Sequence, residues 1–370
     1  MNPLIGIAGT AALGYAAVTI PRNARKARAR RAKKPVTIDA AAYGLVPGDR
    51  LDARYAGPDP EADAVAAAAL AGDWRRAAAY LADAGRDWDL RWYRTGILVH
   101  AAAEDDTWVR AWRTERPDDP SAALVHADAL VTLAGKVRGG KLAKHTTAEQ
   151  FEGFHRLLAE ALPACREAAL MAPEDPCPWI AQITIALGLG WSHEEFRALW
   201  AEITARDPHH FGAHTGALQY WCAKWRGSHE LMYAFAEQAA AAAPPDSLLP
   251  VLRLYAVYEH AVREPAEPVY AQPFVDSAID ATLDAVDRVP AGHHRLPVVR
   301  HLLAKLLFQK KRYAEAVEQF RAIGGYVGAV PWTYSGDPVK AFVHARTNTF
   351  VSWEKAGRPA PAPRGHYAGR

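Results

Sequence analysis

The sequence predicts an all-α protein, an α-solenoid of helical hairpins with a hydrophobic segment at its N-terminus. Three observations carry this. Apolar side chains recur at steps of three and four along most of residues 61–356, the period of one face of a helix. Asp-Pro dipeptides punctuate those runs, and Pro suits a first helical turn because its missing N–H would be unpaired there. No run shows the apolar–polar alternation of a half-buried strand. A chain of 370 residues would ordinarily make two or three domains, but stacked hairpins can form one continuous body.

The N-terminus comes first. Pro3–Ile20 is a run of eighteen uncharged residues, the short end of what spans a bilayer. Eight Lys/Arg follow between Arg22 and Lys34, and residues 1–34 contain no acid. A secretory signal would place its positive charges before the apolar run. Charges after it put the N-terminus outside and the body in the cytoplasm. Gly6, Thr10 and Gly14 form a small-residue face that could pair with another span. Residues 1–34 are thus expected to be a membrane anchor with a basic juxtamembrane run, placing the protein at the inner membrane. The alternative is a cytoplasmic protein with a basic arm. The net charge of +3, less those eight, leaves −5 on residues 35–370. An acidic body disfavours nucleic acid as a partner.

Residues 35–60 mix Gly, Pro and Asp with little periodicity and read as a linker. The helical-repeat domain is expected over 61–356. Ala64–Ala71 with Trp74–Ala84, then Asp89–Ala103 with Thr107–Glu115, form its first two hairpins. Asp-Pro recurs at Asp119, Asp175, Asp207 and Asp337. The second and third lie 32 residues apart, close to the 34-residue tetratricopeptide period. The preceding interval is longer because Gly135–Thr146 inserts a basic, flexible loop. Ser192-x-x-Glu195 is a capping box. Ser247–Val262 and Pro273–Val289 form another pair. His293–Ile323 is the most tetratricopeptide-like unit, with RYAEAVEQF on its second helix. Gly324–Gly336 is a long loop, Pro338–Lys355 a closing helix, and 357–370 a disordered tail rich in Pro, Gly and Arg.

The densest stretch is Asp207–Ala243. Phe211, Thr215, Leu218, Cys222 and Trp225 fall on one helical stripe, opened by Asp207-Pro208. Gly227 is expected to end that helix in the left-handed conformation. Ser228 caps the next, with Glu230 facing the positive end of its dipole. The second helix should bury Leu231, Phe235, Ala239 and Ala242.

The corner Lys224-Trp225-Arg226-Gly227-Ser228-His229-Glu230 resembles one found in an uncharacterised bacterial family of tetratricopeptide-like helical-repeat domains, in which Lys-Trp-x-Gly-Ser-x-Glu joins two helices. The resemblance covers roughly residues 172–243. Ala223 stands where that family has Pro. The resemblance implies a fold and a structural role for Lys224, Trp225, Gly227, Ser228 and Glu230, and no activity.

Little else carries chemistry. Three widely spaced cysteines without a C-x-x-C argue against a disulfide framework and a cysteine-rich zinc site, and buried reduced thiols are expected. His209, His210, His214 and His229 crowd the central hairpin, and His210 and His214 at i, i+4 could share a metal. No His-Glu-x-x-His is present. Gly139-Gly140-Lys141 lacks the strand a phosphate loop requires. Of the twelve Trp, most sit at helical spacing and read as packing between helices, with some anchoring a partner.

The expected function is therefore a non-enzymatic scaffold or adaptor that binds a protein or peptide in its concave face. No cofactor, catalytic residue or metal is assigned. The alternatives are a metal-dependent enzyme using the four-histidine group, or a nucleic-acid binder acting through residues 22–34 and 135–146.

Overall fold

The computed structural model describes residues 37–140 and 145–361. The expected anchor and basic run, residues 141–144 of the basic loop, and the tail from 362 lie outside them. Among the described residues there are sixteen α-helices and no strand, and no helix is long and apolar enough to cross a membrane.

The chain makes two compact units where one continuous body is expected. The first comprises the described residues from Pro58 to Pro244; the second joins residues 37–57 to residues 245–361. In the first unit the helices are α1 (Pro60–Leu70), α2 (Trp74–Ala82), α3 (Trp88–Ala102), α4 (Thr107–Glu115), α5 (Pro120–Arg138), α6 (Ala148–Met171), α7 (Cys177–Leu189), α8 (His193–Arg206), α9 (Phe211–Trp221) and α10 (His229–Ala241). Each odd helix packs on the even one that follows. The odd helices also form a row in which α1 meets α3, α3 meets α5, α5 meets α7 and α7 meets α9. The row curls, because α3 also touches α7 and α9. Helix α7 sits deepest, with nearly every side chain from Cys177 to Leu187 buried.

Asp-Pro starts helices in three places: Asp119 before α5, Asp337 before the last helix, and Asp59 before α1. There the Asp carboxylate accepts a backbone N–H of the first turn and Pro takes a first-turn position. Asp59-Pro60 is a further member of the series, outside the four positions expected. Asp207-Pro208 behaves otherwise. Asp207 closes α8, and α9 begins only at Phe211, capped by the His210 ring. The Ser192/Glu195 capping box forms in both directions, as does an unforeseen one between Thr147 and Gln150. Gly135 does not open a loop: α5 runs on to Arg138 with Gly135 buried inside it.

The second unit holds α11 (Leu252–Ala261), α12 (Ala266–Tyr270), α13 (Phe274–Arg288), α14 (Leu296–Gln309), α15 (Tyr313–Ile323) and α16 (Pro338–Lys355). Residues 37–57, expected as a linker, are a packed strap. Leu45 and Ala56 are buried, and the Tyr43 ring meets Phe350 of α16 edge-on at 5.0 Å. Asp52 N–H donates to Gly325 O at 2.8 Å, Val327 N–H to Asp52 O at 2.7 Å, and Gly328 N–H to Tyr55 O at 2.8 Å. Periodicity does not reveal the strap, because a segment held by backbone hydrogen bonds and single apolar plugs has no period. Its partner, the loop 324–336, is equally well packed. A Cβ on Gly328 would sit 2.5 Å from Ala53 O, and Trp332 is buried.

Candidate functional site

The hairpin of α9 and α10, with the turns at its start and between its helices, carries the Lys224–Glu230 motif and the four histidines. Helix α9 ends at Trp221, one turn before Trp225. Cys222 turns extended (φ −68°, ψ 146°), and its carbonyl then receives the N–H groups of Trp225 at 2.9 Å and Gly227 at 3.2 Å. The stripe Phe211, Thr215, Leu218, Cys222 is buried as expected. Trp225 does not continue it: this side chain lies in the turn, half-buried against the edge of the core.

Gly227 is required for a different reason from the one expected. Its φ is not in the left-handed region. A Cβ there would lie 1.9 Å from the Trp221 carbonyl oxygen, so the corner closes only because backbone passes against backbone. Ser228 does cap α10, its Oγ accepting Leu231 N–H at 3.2 Å. Glu230 lies in the first turn of α10, exposed, and Lys224 is half-buried in the turn.

The buried face of α10 is rotated from the expected stripe, with which it shares Ala239. Met232, Ala236 and Ala239 are inside, while Leu231 is 39% exposed. Contact chemistry sets this rotation: Met232 Sδ lies 3.2 Å from Cys222 Sγ, and hydrophobicity alone does not distinguish Leu231 from Met232.

An aromatic stack holds the corner. Phe196 of α8 and Tyr220 of α9 lie parallel with centroids 3.6 Å apart. Trp221 meets both edge-on, and the His193 ring closes on Trp221 at 4.9 Å. Tyr220 donates its hydroxyl to Trp191 O at 2.8 Å. His193 Nε2 is 2.6 Å from Arg226 O. The corner is thus tied to the turn between α7 and α8.

The four histidines do not form one group. His210 caps the start of α9, which is about 16 Å long at 1.5 Å per residue, and His229 opens α10 beyond the turn at its other end. His210 Nδ1 accepts Ala213 N–H at 3.1 Å. That leaves Nε2 to donate to Trp88 O at 3.2 Å, so both ring nitrogens serve the fold. His214 is buried, with Nδ1 3.0 Å from His210 O, and burial pushes its imidazole down to about 4. Among the described residues no three His, Cys, Asp or Glu gather as metal ligands would. Cys222, Cys165 and Cys177 are all buried, and burial pushes the Cys177 thiol well up, away from the thiolate a nucleophile needs.

A second polar node escaped the sequence reading. The first turns of α3, α7 and α9 converge, and their caps interlock. Asp89 of α3 accepts Gly212 N–H of α9 at 3.0 Å. Arg91 of α3 donates to Asp175 at 2.7 Å and to Ser121 of α5 at 3.1 Å, and Asp175 accepts Cys177 N–H at 2.8 Å. Arg91 and Asp175 are both buried. Gly212 has no room for a side chain, since a Cβ would lie 2.4 Å from the Trp92 ring. Its traces in the sequence are Asp175, a member of the Asp-Pro series, and Asp89, where the helix Asp89–Ala103 is expected to open.

No family model, curated protein or solved structure matches this chain.

Proposed function

We propose that this protein is a non-enzymatic scaffold or adaptor of the tetratricopeptide-like solenoid type. In this reading it is tethered to the inner membrane through residues 3–34, with its body in the cytoplasm, and it engages a protein or peptide along its concave face. The observation that carries the reading is the row α1, α3, α5, α7, α9, each member backed by its own partner helix. That is the way helical hairpins stack when each cannot bury its apolar face alone. Half-buried indoles on this unit, Trp179 on α7 among them, supply the large amphipathic anchors that partner recognition favours.

The test is site-specific photocrosslinking in cells. A crosslinking residue at Trp179, in the odd row, is expected to give one discrete protein adduct. The same residue at Glu160, on the exposed side of α6, is expected to give none. Equal adducts at both positions, or none at any exposed position of the odd row, would remove the proposal.

A further inference from the structure

The first unit buries one acid that the rest of the fold does not answer. Asp128 lies in the middle of α5, flanked by Leu124, Val125 and Val131, and is 4% exposed. Among the described residues its carboxyl takes part in no hydrogen bond and no ion pair, whereas the other buried acids of the chain all have partners. Asp175 has Arg91, Glu259 has Arg263 and Glu315 has Arg312.

The helices packed on α5 offer Asp128 no charge. On α3, Arg91 is engaged by Asp175 and Arg94 by Asp83 and the Tyr80 carbonyl. Arg113 of α4 pairs with Glu167 of α6, and Arg75 of α2 with Glu115 of α4. The neighbouring His126 answers to Arg113, Glu167, Asp106 and Glu160. From α6, the thiol of Cys165 faces Asp128, and on α7 the one titratable group, Cys177, faces Asp175. An ionised carboxylate in such surroundings is strongly disfavoured unless a cation or donors compensate it.

We propose that Asp128 is a proton-operated latch: protonated, it lets α5 close on α6, and on losing its proton it loosens that contact. A proton is the only species that needs to be gained or lost. The latch is distinct from the partner-binding reading and stands without it. Burial alone pushes the Asp128 carboxyl up to about 7, so the transition falls within the ordinary range of cellular pH.

The sign follows from linkage. In the closed state Asp128 holds its proton up to about pH 7; in an opened state it releases it near its ordinary value of 3.8. Opening therefore becomes more favourable as pH rises between those two values and levels off above the higher one. Cys165 reports it directly, being buried beside Asp128 on the facing helix.

The experiment labels the full chain with a pyridyl disulfide, which reacts with thiols at acid as well as neutral pH. The ratio of labelling at Cys165 to that at Cys222 is read by mass spectrometry. The ratio is expected to rise from pH 5 to pH 8 by as much as about a hundredfold and to flatten above about pH 7. With Asp128→Asn, or with Asp128→Leu if the amide does not fold, it should stay flat. A flat ratio in the unaltered protein overturns the latch without recourse to any variant. So does a rise that persists unchanged in whichever substituted protein folds.

Discussion

Trp332 donates its indole N–H to Nδ1 of His301 at 2.8 Å. That bond leaves Nε2 of the same ring to donate to Ala56 O at 3.1 Å, so one neutral imidazole joins α14, the loop before α16 and the N-terminal strap. Burial pushes His301 down to about 4. Protonation would add a second N–H where Trp332 already donates.

Acid should therefore unfold this protein through its buried histidines. An unfolded imidazole gains its proton near pH 6.5, whereas His301 and His214 resist until about pH 4. The stability they contribute is fully present above the unfolded value and is lost as pH falls through this window, roughly 3 kcal/mol for each ring. Urea unfolding at pH 7 and pH 4.5 measures it. His301→Gln is expected to flatten part of that acid limb, at a cost of about 1–3 kcal/mol at pH 7 if Trp332 loses its acceptor. An unchanged acid limb in that variant would show that His301 titrates normally.

The buried pair Arg91–Asp175 should be expensive to break and cheap to replace. Arg91→Ala leaves Asp175 charged and uncompensated inside the first unit, a loss of about 3–5 kcal/mol. Exchanging the pair together, as Arg91→Met with Asp175→Leu, removes both charges but also the carboxylate that receives Cys177 N–H. The double variant should lie well above Arg91→Ala in stability. A double-mutant cycle in urea measures this, and additive losses would show that the two charges are not coupled.

At the corner the ranking of three substitutions is the informative quantity. Gly227→Ala forces a Cβ onto the Trp221 carbonyl and should cost about 3 kcal/mol or more, beyond ordinary overpacking. Trp225→Ala should cost less than the 3–5 kcal/mol of a fully buried indole, because this side chain is half in solvent. Ser228→Ala should cost about 1 kcal/mol, the usual loss of an N-cap. Thermal melting of the three variants gives the order, and Trp225→Ala as the worst of them would mean that the indole carries the corner.

The strap and the expected anchor can be separated by truncation. If Pro3–Ile20 spans a membrane, the full chain should stay in the pellet after alkaline carbonate washing, and removal of residues 1–34 should release a folded body. Removal of residues 1–60 should not, because it strips Leu45 and Ala56 from the second unit and leaves His301 Nε2 without its acceptor. Equal melting temperatures for the two shortened chains would show that the strap is dispensable.

What the sequence determined by itself was helix: where helices lie, and in several cases where they begin. The limits of α4 and α16 match the expected Thr107–Glu115 and Pro338–Lys355, and Ser192 and Ser228 cap as their side chains dictate. These features are local, because a period of 3.6 residues or a hydroxyl three residues from an N–H acts within one or two turns of chain. Tertiary structure alone decided how the helices met. It ended α9 at Trp221, rotated α10 so that Met232 and not Leu231 went inside, and parted His229 from His210. It also brought Arg91 to Asp175 across 84 residues, laid residues 37–57 onto the second unit, and left Asp128 without a partner. Each of those outcomes depends on which atoms fill the space opposite, and that space is built by segments far away in the chain.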